Sequence, residues 1–208
     1  MYEAIKLTYF VTDTNEETTL FYSTRCLSGI TFMEIDGQPL DQPVQKYQFD
    51  TTGRHVVYVI LNDNQYMSPL KFTNVTALRE VVIPSTVTRL EPARTSNGLF
   101  YECPCIEKIT CLCDTPPQYD YDGHGGTPYT AQADADFYGI ALNGTLYVPK
   151  GCMLNYAIDT KSNQHGWWGG FDSSIKDGHN LRTYGWTLKE LDERISSFNQ
   201  SFDESFQQ

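Results

Sequence analysis

The sequence predicts a mainly β chain in three parts: a small β-sandwich over residues 1–68, a short leucine-rich repeat solenoid over 69–186, and an amphipathic α-helix over 187–208. Three observations carry this. Apolar residues alternate with polar ones between turn signals in the first 68 residues. A leucine-type run with the spacing L-x-x-V-x-I then recurs along the middle of the chain. The last stretch changes to apolar spacings of three and four, the period of a helix.

The first part opens with Ile5, Leu7, Tyr9 and Val11 on one face of a strand, and Ile30, Phe32 and Ile35 continue the pattern. The stretch DGQP, Asp36–Pro39, is a turn signal. Val44 to Phe49 leads to a second turn, Thr51-Thr52-Gly53, and Arg54–Leu61 (RHVVYVIL) is the strongest strand candidate. Fourteen Tyr and 11 Phe favour strands in general. Short strands at this spacing with turns between them read as a sandwich.

The pattern changes near Ser68. Leu78, Val81 and Ile83 form a run that stops at Pro84, and Ile106, Ile109 and Cys111 repeat it. Leu146 and Val148 repeat its last two positions and stop at Pro149. Such units bury their faces against one another, one short strand per repeat.

Four of the six cysteines, Cys103, Cys105, Cys111 and Cys113, fall close together. Their spacing, C-x-C-x5-C-x-C, departs from the two-to-four-residue knuckles of zinc sites. Cys111 takes the inward place that Ile83 holds one repeat earlier, and Cys113 shares its face. A free thiol packs as a small hydrophobe, so the expectation is burial, with no metal and no cofactor. Cys152 with His165 or His179 would make a thiol–imidazole pair, but nothing local supports it. No hydrolase, phosphate-loop or metalloprotease motif occurs, and no catalytic residue is expected.

With 26 acidic against 15 basic residues the net charge is −11, which disfavours nucleic acid and anionic membrane. The first residues show no signal-peptide pattern, and no apolar run is long enough to span a bilayer. The chain is therefore expected to stay where it is made, with no membrane insertion.

The stretches "LREVVIPSTVTRL", "LFYECPCIEKIT", "CDTPP" and "GTLYVPKGCMLNYAI" resemble the BspA-like leucine-rich repeat family of gut bacteria and their phages, over about residues 75–158. The β domain before them resembles one that often precedes such repeats. The resemblance implies that Cys103 is a buried free thiol and that the chain serves adhesion or recognition without catalysis. Such domains occur in tailed phages, whose virion proteins are made in the host cytoplasm. The expectation is thus a virion-associated protein: head fibre, decoration or tail. The alternative is a bacterial cell-surface or secreted adhesin.

Partner contacts are expected from the aromatic insertion 118–138, at Tyr119, Tyr121 and Tyr129, and from Trp167 in a tryptophan pair. The partners would be proteins or cell-surface glycans. In the tail, Thr187 and Glu190 read as a capping box. Leu188, Leu191, Ile195, Phe198 and Phe202 then form one helical seam, expected to drive homo-oligomerisation or anchor the chain in a larger assembly.

Overall fold

A computed structural model describes residues 3–67, 70–90, 99–119, 137, 139–157 and 181–192. The strands of the first part are β1 (Ile5–Val11), β2 (Thr18–Thr19), β3 (Ile30–Ile35), β4 (Gln38–Pro39), β5 (Lys46–Tyr47) and β6 (Gly53–Leu61). Those that follow are β7 (Leu78–Ile83), β8 (Arg89–Leu90), β9 (Lys108–Cys111), β10 (Gln118–Tyr119), β11 (Thr145–Val148) and β12 (Thr187–Glu190); the described residues also form a short α-helix, α1 (Met153–Ala157), and 3-10 turns at Thr24–Gly29 and Leu181–Tyr184. The chain is mainly β.

One eight-stranded mixed sheet organises it, in the order β12-β11-β9-β7-β1-β6-β3-β4. β1 pairs antiparallel with β6 on one side and with β7 on the other. From β7 onward the pairs are parallel, and each strand lies beside the one preceding it in the sheet order: β7 with β9, β9 with β11, β11 with β12. In place of a self-contained sandwich over 1–68, β1, β3, β4 and β6 thus share a sheet with strands beyond that boundary. Alternation says that one face of a strand is buried; it does not say which strands lie beside it.

The repeating run forms the core of the parallel half. Val81 is opposite Ile109, Ile109 opposite Leu146, and Leu146 opposite Leu188. The first three are fully buried. The chain length between matching positions is 28 residues from Val81 to Ile109, 37 to Leu146 and 42 to Leu188. Beneath the sheet a line of rings crosses both halves. Phe21 lies 5.9 Å from Phe72, Phe72 stacks on Phe100 at 5.7 Å, and Phe100 stacks on Phe137 at 6.0 Å. All four are buried, so each contributes on the order of 1.5–3 kcal/mol from area alone.

A left-handed residue recurs two positions after three of these rings: Asn74 (φ 60°), Glu102 (φ 51°) and Gly139 (φ 71°). Backbone bonds link the successive turns there, Asn74 N–H to the Tyr101 carbonyl and Ala141 N–H to the Cys103 carbonyl. A Cβ on Gly139 would stand 3.1 Å from the Glu102 Cα, so this approach favours glycine.

Two expectations are corrected. Phe32 does not face the core: the pairing of β3 with β6 shifts register between Ile30 and Phe32. Ile30, Met33 and Ile35 are inward and Phe32 is half-exposed. The second concerns the tail. Thr187–Glu190 is a strand, not the first turn of a helix. The Thr187 hydroxyl meets the Thr145 hydroxyl at 3.3 Å, and the Glu190 carboxylate accepts from the Gly151 N–H at 2.9 Å, so neither caps a helix. Leu188 packs partly buried on the core, and Leu191 is buried and donates its N–H to the Val148 carbonyl. A ladder with ready-made backbone partners outweighs the weak local preference of a short helix end.

Trp186 closes this end. Its indole N–H donates to the Ala141 carbonyl at 2.7 Å, and the ring lies on Gly144 so tightly that a Cβ there would overlap it. Gly144→Ala should therefore destabilise the chain by about 1–3 kcal/mol, the usual cost of overpacking, and expose Trp186. Gly151 is left-handed with open space around it, so Gly151→Ala should cost only about 1 kcal/mol, from backbone strain. Denaturant melts followed by tryptophan fluorescence should separate the two: only the first should shift the emission of the folded state.

Candidate functional site

Two groups of residues carry chemistry, the thiols and the outward face of the sheet. Cys26, Cys103, Cys111 and Cys113 are buried, while Cys105 and Cys152 are partly exposed. The buried thiols serve the backbone at turns. Cys103 donates to the Phe72 carbonyl at 2.6 Å, and Cys113 lies 3.3 and 3.1 Å from the Pro84 and Val87 carbonyls. The Tyr156 hydroxyl sits between Cys111 Sγ (3.1 Å) and the Cys113 carbonyl (2.8 Å). Burial pushes the Cys103 thiol up to about 12. A hydrogen bond between Cys113 and Cys111, and then burial, push the Cys113 thiol up as well. Cys152 is also raised, by desolvation and then by the Asp114 carboxylate beside it. Burial by itself would raise Cys111, but its hydrogen bonds with Cys113 and Tyr156 outweigh that and lower it. A nucleophilic cysteine needs a lowered value together with access, and Cys111 is fully buried. Among the described residues no group of three or more His, Cys, Asp or Glu side chains is placed to hold a metal.

The outward face follows from strand register. One transverse row runs Glu34, Tyr58, Lys6, Val82, Thr110, Tyr147 and Lys189, crossing β3, β6, β1, β7, β9, β11 and β12. The next row runs Val56, Thr8, Glu80, Lys108, Thr145 and Thr187. Phe10 and Arg54 continue the face on β1 and β6. The strands thus bury one apolar side and carry rings, hydroxyls and charges on the other, where Thr8 and Thr110 are themselves buried between their neighbours.

An ion-pair network orders the middle of this face. Glu80 receives Arg54 at 2.7 Å and Lys108 at 3.2 Å, and Arg54 also reaches Glu107 at 3.0 Å. Burial by itself would raise the Glu80 carboxyl. The Arg54 hydrogen bond and the Lys108 charge outweigh that and hold it below its ordinary value. Lys108 also lies 5.9 Å from the centre of the Tyr147 ring, and Arg79 lies 5.7 Å from that of Phe10, which is 41% exposed. The Lys6 ammonium is held below its ordinary value, mainly by burial.

Of the residues expected to bind from sequence, Tyr119, Leu188 and Leu191 are among the described ones. Tyr119 lies in β10 beside Leu90 of β8. Tyr121, Tyr129 and Trp167 lie outside the described residues, as do Ile195, Phe198 and Phe202 of the expected seam. Leu188 packs partly buried against the core, and Leu191 is buried just beyond the end of β12. The outward row was accessible to sequence reasoning through the polar partners of each alternating strand, such as Lys6 between Ile5 and Leu7. Lys189 is disguised by its helix-like surroundings. Compared with protein-family models, with curated proteins and with solved structures, the chain matches none of them.

Two measurements follow. Under native conditions Cys105 and Cys152 should react with a thiol reagent well before the four buried cysteines, as read by mass spectrometry of timed samples. Glu80→Gln should cost roughly 1 kcal/mol at neutral pH, a small figure because Arg54 and Lys108 are well solvated. The carboxyl is depressed only in the folded chain. Its contribution is therefore complete above its unfolded value and is lost as pH falls through the folded one. The stability gap between the two proteins should close in acid; a gap that persists there would assign it to packing.

Proposed function

We propose that this chain is a non-catalytic recognition protein that binds through the outward face of its eight-stranded sheet. The observation that carries the reading is the chemistry of that face: one transverse row holds Tyr58, Lys6, Tyr147 and Lys189 on an apolar core. In this reading the parallel half is a short leucine-rich solenoid. Support comes from strands that follow one another in order, from the matched apolar positions 81, 109, 146 and 188, and from the recurring left-handed residue. The resemblance to BspA-like repeats then makes it an adhesive module, and we place it in a phage particle as a head-fibre, decoration or tail-associated protein. There it would work as an oligomer or as part of a larger assembly, against proteins or glycans of a bacterial surface.

Binding to cells tests this. Labelled full-length protein should adhere to the envelope of some gut anaerobes. Lys189→Glu, on the outward face, should abolish adhesion without lowering the melting temperature. Lys46→Glu, an equal charge change at an exposed position in β5, should leave adhesion intact. Equal adhesion by all three proteins would remove the face from the mechanism, and no adhesion to any envelope would remove the function.

A further inference from the structure

A cross-strand Tyr–Lys pair occurs twice on the outward face. Tyr58 of β6 is directly opposite Lys6 of β1, and Tyr147 of β11 is directly opposite Lys189 of β12. Both pairs lie in the same transverse row and in the same order, tyrosine then lysine. The second is displaced from the first by four strands, about 19 Å at ~4.8 Å per strand. Tyr58, Lys6 and Tyr147 are half-buried, and Lys189 is exposed. Lys108 stands between the pairs in the adjoining row, 41% exposed and near the Tyr147 ring.

Charge on this face runs against the rest of the chain. The face and its rim hold Lys6, Arg54, Arg79, Lys108 and Lys189, five of the 15 basic residues, but only Glu34, Glu80 and Glu107 of the 26 acidic ones. In a protein of net charge −11, a face that holds more cations than carboxylates draws an anionic ligand.

We infer that the face binds an acidic polysaccharide laid across the strands, with sugar rings against Tyr58 and Tyr147 and carboxylates at Lys6 and Lys189. This deepens the recognition reading above and rests on it. A recognition element that recurs along one row fits a polymer whose own units repeat, because both pairs then engage one chain and the second contact is intramolecular. A peptide fits less well. The sheet's N–H and C=O groups are directed along the sheet into its ladders, so a peptide on this face would find few partners for its own backbone groups. Sugar hydroxyls remain in water, and a sugar ring needs only the flat apolar side of an aromatic ring.

The full-length protein should be titrated with three probes: polygalacturonate, neutral amylose and poly-L-glutamate. Polygalacturonate should bind, more weakly as salt is added, and the other two should not. Tyr147→Ala and Lys189→Gln should each weaken it by about ten-fold, while Lys46→Gln should not. Thermal melts should show the variants folded. Oligogalacturonates too short to reach both pairs should bind far more weakly than longer ones. If poly-L-glutamate binds equally, the face selects charge alone and the polysaccharide assignment is wrong. Equal binding of amylose, or no dependence on length, overturns it too. If none of polygalacturonate, alginate and heparin binds while cells still do, the ligand class is wrong but the recognition reading stands. If the face variants also leave cell adhesion unchanged, that reading falls with it.

Discussion

Everything else in this fold depends on β1 having a partner on each edge. A run of parallel strands has a first member, β7, whose outer edge would be exposed to water and to other chains. β1 covers it, pairing Lys6 with Val82, Leu7 with Val81 and Thr8 with Glu80. Its other edge carries β6 over all seven of its residues. The register with β7 shifts between Thr8 and Tyr9, which brings Tyr9 opposite Leu78, both buried. The Tyr9 hydroxyl then reaches down to the Leu20 carbonyl at 2.8 Å, fastening the sheet to the layer beneath. Residues near the start of the chain must find residues some way along it before either half is complete. Loop closure of that kind is slow relative to local structure. The line of phenylalanines from Phe21 to Phe137 runs beneath the same junction, so apolar packing and backbone pairing join the halves at one place.

The two faces of the sheet divide the labour. The inner face supplies stability through area, with Leu7, Val57, Val59, Val81, Ile109 and Leu146 fully buried. The outer face supplies little, because ion pairs open to solvent are each worth ~1 kcal/mol or less. The network around Glu80 instead fixes where its long side chains sit: Arg54 is committed to two carboxylates and Lys108 to one. Lysine and arginine lose much rotamer freedom when held. A face whose cations are already ordered gives up less of that freedom when a ligand arrives.

Much of the sheet was legible because its inner face obeys simple periods. Positions 81, 109 and 146 share a register that the leucine-type run had already aligned, and Gly53–Leu61 is the strand that RHVVYVIL foretold. The Asp36–Gly37 turn adopts positive φ at both residues, 49° and 79°, the hairpin geometry that Asp-Gly favours. The failures are equally physical. A register shift turned Phe32 outward, and no apolar period announces such a shift. Leu188 and Leu191 fit a helical seam and a strand-plus-turn equally well, and only the waiting edge of β11 decides between them. The candidate site was hard to see because apolar periodicity identifies what faces inward. Lys6, Tyr58 and Tyr147 emerge as a group only once β6, β1, β7, β9 and β11 are placed side by side.

The unequal chain lengths between matched strands carry a consequence for variation. Segments of 28, 37 and 42 residues all return to the same ladder. The turns after Phe72, Phe100 and Phe137 set the return to β7, β9 and β11 through one repeated backbone geometry, and the turn at Gly185 (φ 76°) sets the return to β12. An insertion between strands is therefore invisible to the register, and its closure cost grows only with the logarithm of its length. The connections can thus lengthen or shorten while the frame that displays the rows of Tyr, Lys and Thr keeps its register. Diversity is free to accumulate in length as well as in residue type, and the two can change independently.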